Sequence, residues 1–341
     1  MERMTEKTAA ESRTIESVFQ FSNRNLFRSL CGVSDSGVDD LAKLLGVLLI
    51  PRGHSFLIRS DNPELDGLAN AFFEALSRSY PPDRNILPDR FDIEYMYRHL
   101  KKKFEEDAAP AADLEELLKT KIFMTSRGKS VFPRTYNQAH YVKSIKENSI
   151  TFCLGPAGTG KTFLSIVSAC RMLTQGDVER IILTRPAVEA GESLGFLPGD
   201  LTQKVDPYLR PVYDALYECM GMEKVHELIG ARRIEIAPLA YMRGRTLSDS
   251  MIILDEAQNC TLGQLKMFLT RLGKNSRMCI GGDVTQIDLL PGKSGLKKTI
   301  SILRQVEGVG VIEFGREDIV RNPLVEKIVL AFEQMFEERS D

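Results

Sequence analysis

The chain has 341 residues, 43% of them hydrophobic and 27% charged, with a formal net charge of −2. That length fits two domains better than one, and the composition is that of a soluble protein with a sizeable core. Near-neutral charge excludes a chain-wide basic field, so any nucleic-acid site must be a local patch. The six cysteines, at 31, 153, 170, 219, 260 and 279, are scattered and form no C-x-x-C pair. Reduced core thiols of a cytoplasmic protein are therefore expected, rather than a disulfide or zinc framework. The opening MERMTEKTAAESRTIE is polar and mixed in charge, unlike a signal or transit peptide, and residues 1–15 read as a disordered start. The apolar run around Val47–Pro51 is far too short to span a bilayer, so no membrane is expected.

Residues 16–80 read as a small α/β domain. Ser17–Phe21 suits a strand, helical patterns follow at 24–30 and 36–45, and GVLLI (46–50) and SFLIR (55–59) suit two strands joined by Pro51-Arg52-Gly53-His54. Asn62-Pro63 then opens a helix with apolar residues at 65, 68, 69, 72, 73 and 76, a 3.6-residue repeat. The order resembles a KH-like RNA-binding module, but no pair of glycines falls at the G-x-x-G spacing that clamps a nucleic-acid backbone. A plain accessory or oligomerisation domain remains the alternative, with Arg52 and His54 the exposed candidates for RNA contact. Residues 81–117 read as a connector: Pro81-Pro82 breaks the helix, DRFDIEYMYRHLKKKF makes an amphipathic helix, and EEDAAPAADLEE is an acidic linker.

From Lys119 to Lys146 there is no acidic residue, and Lys119, Lys121, Arg127, Lys129, Arg134, Lys143 and Lys146 are interleaved with Phe123, Phe132, Tyr136 and Tyr141. Cations mixed with aromatics suit a single-stranded nucleic-acid track; the competing reading is a β-hairpin whose aromatics pack on the following domain. Gln138 lies just upstream of the next strand, where in helicase-like ATPases an amide that donates and accepts can read an adenine edge.

The clearest stretch is SITFCLGPAGTGKT (149–162). A short apolar strand leads into Gly155-Pro156-Ala157-Gly158-Thr159-Gly160-Lys161-Thr162, which fits G-x-x-x-x-G-K-[ST], and the apolar run FLSIVSACRML follows. In such a loop the glycines let backbone N–H groups curl round a di- or triphosphate, Lys161 reaches the β- and γ-phosphates, and the Thr162 hydroxyl ligates Mg²⁺. SMIILDEAQN (250–259) is a buried strand ending in two carboxylates. Asp255 is placed to hold Mg²⁺ with Thr162, and Glu256 to orient and deprotonate the attacking water. Gln258 is a candidate γ-phosphate sensor or a relay to the nucleic-acid side. RIILTR (180–185), RIEIAP (233–238), RMCIGGD (277–283) and VGVIEF (309–314) read as further strands separated by helices, hence a mostly parallel sheet covered on both faces. Ligands bind at the carboxyl ends of such strands, which singles out Arg185-Pro186, Asp283 to Gln286, and Arg316 to Arg321. Arg316 and Arg321 are candidates for an arginine finger or, equally, for surface ion pairs with Glu317 or Asp318.

TRPAVEAGESLGFLPGD (184–200), YLRPVYDAL (208–216), APLAYMRGRTL (237–247), ILDEAQN (253–259), QLKMFLTRLG (264–273) and GDVTQIDL (282–289) together resemble the PhoH-like ATPase family, itself similar to the core of superfamily 1 helicases. The match covers about residues 120–340 strongly and the N-terminal part, including RGHSFLIRSD (52–61), more loosely. The resemblance implies a RecA-like P-loop NTPase fold over residues 118–341, ATP hydrolysis with Mg²⁺, ring-shaped homo-oligomers, and links to RNA metabolism beside an endoribonuclease acting in ribosomal RNA maturation. By position, Lys161, Thr162, Asp255, Glu256 and Gln286 match the nucleotide motifs and Arg321 the late arginine motif. Cys153 and Ser168 depart from the family's usual residues, away from the chemistry.

Three function classes follow. An Mg²⁺-dependent ATPase that remodels RNA uses the hydrolysis set beside the basic stretch and Arg243-Gly244-Arg245. With room for one RecA-like lobe, motor action needs a neighbouring subunit. An ATP-switched scaffold docking a nuclease uses the same parts, and a small-molecule kinase is a third class.

Overall fold

The computed structural model describes residues 14–84, 86–105, 119–186, 201–290 and 292–320, with backbone alone over 201–208. The expected disordered start (residues 1–13 of it), the acidic linker after Glu105, most of TRPAVEAGESLGFLPGD and Arg321 lie outside the described residues. The chain divides into two units, 1–119 and 120–341.

The N-terminal unit runs β1 (Ile15–Gln20), α1 (Arg24–Cys31), α2 (Ser36–Leu45), β2 (Leu48–Arg52), β3 (Ser55–Ser60), α3 (Pro63–Ser79) and α4 (Arg90–Glu105). Its antiparallel sheet has the order β1-β3-β2. Asn23 caps α1 by accepting from the N–H groups of Asn25 and Leu26, and Asn62 caps α3 ahead of Pro63 at the first helical position. Phe21, Phe27, Phe56 and Phe73 make the core, with Phe27 and Phe56 ring centroids 5.0 Å apart.

Two expectations for this unit change. The β2–β3 connection is Gly53-His54 alone, because β2 continues through Pro51, opposite Phe56, and Arg52, opposite Ser55. As β2 is an edge strand, the missing proline N–H costs the ladder nothing there. The helix assigned to a connector is instead part of the unit: α4 packs on α3, with Tyr97 edge-on to Phe72.

The second unit begins with a short hairpin, β4 (Phe123–Met124) and β5 (Ser130–Val131), and then α5 (Tyr136–Glu147). There follow β6 (Ile150–Leu154), α6 (Lys161–Gln175), β7 (Arg180–Arg185), α7 (Leu201–Met220), α8 (Met222–Gly230) and β8 (Ile234–Pro238). β9 (Ser250–Leu254), α9 (Leu262–Leu269), β10 (Arg277–Gly282), α10 (Leu296–Leu303) and β11 (Val309–Glu313) complete it. The six-stranded sheet has the order β11-β6-β10-β9-β7-β8, and every pairing is parallel. Alternation along β9 shows why both faces are apolar. Met251 and Ile253 join the core under α6, α7 and α8, while Ile252 and Leu254 join the one under α9 and α10. This is the doubly covered α/β fold expected of a P-loop NTPase.

The basic stretch before β6 divides between core and surface. Tyr141 is 1% exposed, Phe123 packs against the same core, and Lys121, Arg127, Lys129, Lys143 and Lys146 are exposed. Two of the four aromatics are thus core residues, and burial pushes the Tyr141 phenol pKa well up. Among the described residues no helix is long and apolar enough to cross a membrane.

A candidate nucleotide site at the carboxyl end of the sheet

The loop from Gly155 to Gly160 leaves the tip of β6 and turns into α6. Gly155 has φ +143°, and a Cβ there would stand 2.6 Å from Phe314 Cβ, so β11 closes on the loop only because residue 155 is glycine. Gly160 caps α6 in the left-handed region at φ +85°, with no side-chain cap on the first helical N–H groups. Those donors therefore face the loop and are available to an anion. Thr159 is fully buried and donates to the Pro156 carbonyl, while Val320 N–H donates to the Gly158 carbonyl from the segment after β11. Lys161 Nζ folds back on the loop, donating to the Gly155 carbonyl at 2.7 Å and the Pro156 carbonyl at 2.8 Å.

Thr162 Oγ1 donates to Asp255 Oδ1 at 2.9 Å. A hydroxyl and a carboxylate side by side suit a hard cation that takes its remaining oxygens from phosphate and water. Among the described residues no group of three or more His, Cys, Asp or Glu side chains could hold a metal by itself. The donor set fits Mg²⁺ carried in with a nucleotide.

Asp255, Glu256, Gly282, Asp283 and Gln286 line one wall of a cleft of about 490 Å³ whose floor is the loop and the start of α6. Asp214 and Glu218, one helical turn apart on α7, line the other wall. Glu256 sits in the left-handed region at φ +57°, ψ +38°. That costs a non-glycine residue about 1 kcal/mol or more, a strain tolerated where a side chain must be aimed. Gln258, 1% exposed, donates to Glu256 Oε2 at 2.6 Å and accepts from Asp283 N–H at 3.0 Å. Asn259 and Asp288 pair in the same way, each side chain bonded to the other residue. The segment after β9 is thus latched at two points to the segment after β10.

The sequence-predicted residues distribute unevenly. Lys161, Thr162, Asp255, Glu256 and Gln286 meet in the cleft; Pro156 and Thr159 shape the loop behind it. Gln138 is 4% exposed, and its amide is engaged by backbone: Arg134 N–H donates to Oε1 at 2.8 Å, and Nε2 donates to the Thr159 carbonyl at 3.0 Å. It braces the loop from α5 rather than presenting a free edge to a base. Arg316 lies on the exposed turn after β11, outside the residues that line the cleft. Asp318 of that turn is buried and ties Asn137 Nδ2 and Gly315 N–H to one oxygen. Of Arg243-Gly244-Arg245, Arg243 is exposed, whereas Arg245 forks onto Glu235 at 2.6 and 2.7 Å.

Arg185 was marked in the sequence only as a strand end. It proves central: its Nε and Nη2 donate to Asp255 Oδ2 at 3.0 and 2.5 Å, and Nη2 reaches Glu256 Oε1 at 3.3 Å. Asp214 was met in the sequence only as part of YLRPVYDAL, with no role assigned, and Glu218 was not marked at all.

The profile of the family described as "PhoH-like protein" matches residues 130–333. A PhoH-like protein of Bacillus subtilis (strain 168) is 46% identical over 310 residues, covering 90% of this chain and 93% of the relative. One of Synechocystis sp. is 45% identical over 308 residues, 90% of this chain and 91% of its own. Among solved structures, the UvsW helicase of bacteriophage T4 shares 12% identity over 64% of this chain and 77% of that one, at a TM-score of 0.34, too slight a likeness to argue from. The phosphate loop, the paired carboxylates and the match along nine-tenths of the chain place it in one group: the chain belongs to the PhoH-like protein family.

Proposed function

We propose that the chain is an Mg²⁺-dependent ATPase acting in RNA metabolism, as an RNA-remodelling or helicase-like aid to ribosomal RNA processing. The observation that carries it is the 2.9 Å bond between Thr162 and Asp255 with Glu256 and Gln286 on the wall of the same cleft. The backbone N–H groups at the start of α6 bind the phosphates, and Lys161 exchanges its carbonyl partners for the β- and γ-oxygens. Mg²⁺, held by Thr162 and Asp255, supplies charge neutralisation of the phosphates when bound. Glu256 orients a water and takes its proton as the γ-phosphorus is attacked, and Gln286 donates to the γ-phosphate. Arg316 or Arg321 of a neighbouring subunit completes the charge stabilisation in a homo-oligomeric ring. Single-stranded RNA is the partner best suited to the exposed cations of residues 119–146 and Arg243.

The test is steady-state ATP hydrolysis with and without single-stranded RNA at two salt concentrations. Turnover stimulated by RNA and weakening with salt is expected, lost in Lys161→Ala and Glu256→Gln. Unchanged hydrolysis in both variants removes the assignment.

A second reading, an ATP-switched scaffold that docks an endoribonuclease, draws on the N-terminal unit. Asp35 in the α1–α2 connection and Asp39 and Asp40 near the start of α2 are exposed, and they repel phosphate where a KH module would clamp it. Val18 and Leu48 on its sheet are 66% and 54% exposed, apolar surface better suited to protein than to RNA. ATP-dependent capture of a ribonuclease without RNA-stimulated turnover would favour the scaffold.

A further inference from the structure

Among the described residues two carboxylates hold a buried oxygen that meets no hydrogen-bond donor, Asp318 Oδ1 and Asp283 Oδ2. Asp318 stands outside the residues that line the nucleotide cleft, whereas Asp283 lines it and is 5% exposed. Keeping such an atom unpaired and away from water costs free energy, so its retention calls for a partner that arrives from outside.

The carboxylate is already held in place. Its Oδ1 accepts from Thr285 N–H at 2.9 Å and from Thr285 Oγ1 at 2.6 Å. The backbone is fixed as well: Asp283 N–H donates to Gln258 Oε1 at 3.0 Å, and the Asp283 carbonyl accepts from Gln286 N–H at 3.1 Å. Two donors on one oxygen orient the group and leave the other oxygen as a preset acceptor.

The strand shows what that acceptor faces. A Cβ at Gly281 would stand 3.5 Å from Asp255 Oδ1, the oxygen to which Thr162 donates. A Cβ at Gly282 would instead meet Leu296 at 2.6 Å, in the core under α9 and α10. Residues two apart on a strand share a face. Asp283, directly after β10, is therefore on the Asp255 side, and Gly281 between them carries no side chain.

A phosphate cannot supply the missing donor, because its oxygens are acceptors of the same charge. A water bound to a divalent cation can, since the ion polarises its O–H groups toward a carboxylate. Mg²⁺ keeps several waters and takes one or two carboxylates beside the phosphates. No three His, Cys, Asp or Glu side chains among the described residues could ligate an ion together, so Asp283 joins through water rather than directly.

We propose that Asp283 is a third anchor of the cation: its Oδ2 accepts from a water on the Mg²⁺ that Thr162 and Asp255 hold. The unpaired carboxylate repels a bare polyphosphate and is satisfied by the hydrated ion, so the cleft favours a nucleotide that carries its cation. This inference rests on the nucleotide-binding reading of the same cleft.

The test is ADP affinity, measured by calorimetry in Mg²⁺ and in EDTA, on the full chain, Asp283→Ala, Asp283→Asn and Asp214→Asn. ADP keeps the readout independent of turnover, and binding in EDTA shows that each variant's cleft is folded. The factor by which Mg²⁺ raises ADP affinity falls about tenfold or vanishes in both Asp283 variants, as for the loss of an outer-shell partner of a metal, while affinity in EDTA is not weakened. Asp214→Asn, which removes the same charge from the opposite wall, keeps the Mg²⁺ factor. An unchanged factor in Asp283→Ala, an equal loss in Asp214→Asn, or equal weakening with and without Mg²⁺ overturns the inference and leaves the nucleotide site standing. Loss of turnover in Asp283→Ala with the Mg²⁺ factor unmoved also overturns it, by giving Asp283 to the attacking water. Failure of the unsubstituted chain to bind ADP overturns the site itself.

Discussion

Thr162 and Asp255, 93 residues apart in sequence, share a hydrogen bond of 2.9 Å between the start of α6 and the tip of β9. Replacing the hydroxyl by a methyl in Thr162→Val leaves Asp255 Oδ1 without that donor. The expected stability loss is about 1 kcal/mol. The expected fall in turnover is about a hundredfold or more, as for the loss of one preorganised group at a site of developing charge. A thermal melt and a Mg²⁺ titration of ATP turnover measure the two effects separately.

Gln138→Ala removes a side chain that joins two backbone groups, Arg134 N–H and the Thr159 carbonyl. Leaving buried partners unpaired costs about 1–3 kcal/mol, and the loop loses its brace for every nucleotide alike. ATP and GTP affinities are therefore expected to fall together. A change in the ratio of the two, measured by fluorescent-nucleotide displacement, would instead identify Gln138 as a reader of the base.

Gly155→Ala places a Cβ 2.6 Å from Phe314 Cβ at a φ of +143°. Strain and overlap together predict a loss of about 2 kcal/mol or more, read as a lower denaturation midpoint. Gly176→Ala, also at positive φ but with nothing within 4 Å of the added atom, serves as the control for backbone strain alone.

The Arg245–Glu235 fork holds the Glu235 carboxyl below the usual range, chiefly through the hydrogen bonds from Arg245. A lowered carboxylate pKa contributes stability above the unfolded value of about 4.3, and that contribution is lost as pH falls through the lower folded value. With the side chains 32% and 35% exposed, the pair contributes about 0.5 kcal/mol after screening. Glu235→Gln is expected to be destabilised by that amount at pH 7, with the difference from the unsubstituted chain shrinking as pH falls through the lowered folded value of Glu235. On the proposed RNA reading, RNA stimulation of turnover at low salt is expected to fall in Arg243→Ala, whereas Arg245→Ala should act mainly on stability.

All six cysteines are buried, and burial pushes the Cys260 and Cys279 thiols up to about 12. Thiol titration of the folded chain should find them protonated and slow to react, with full reactivity on denaturation.

Much of the second unit was legible because its strands are short apolar runs with sharp ends. RIILTR coincides with β7, and the phosphate loop with its flanking strand and helix stands as read. What escaped were relations between segments. The aromatic spacing of residues 119–146 looks the same for a stacking track and for a core, and only the packing of Tyr141 beneath β11 decides its part. Gln138 has the right residue type and place for a base reader, but the Arg134 N–H and the Thr159 carbonyl engage its amide. Pro51 reads as a turn until the sheet order shows its strand at an edge. Arg185 could not be assigned from spacing, because its partners arise 70 residues later through the register of β7 against β9.

The place of β6 in the sheet has a consequence for synthesis. Its two neighbours are β10 and β11, whose partner residues begin at Met278 and Val309. A nascent chain that has emerged only as far as α9 carries the whole phosphate loop on a strand with no ladder on either side. Parallel pairings across such separations form late. A chain that stops before β10 and β11 is therefore expected to lack the sheet support of the phosphate loop, and to hold a nucleotide more weakly than one that contains both strands.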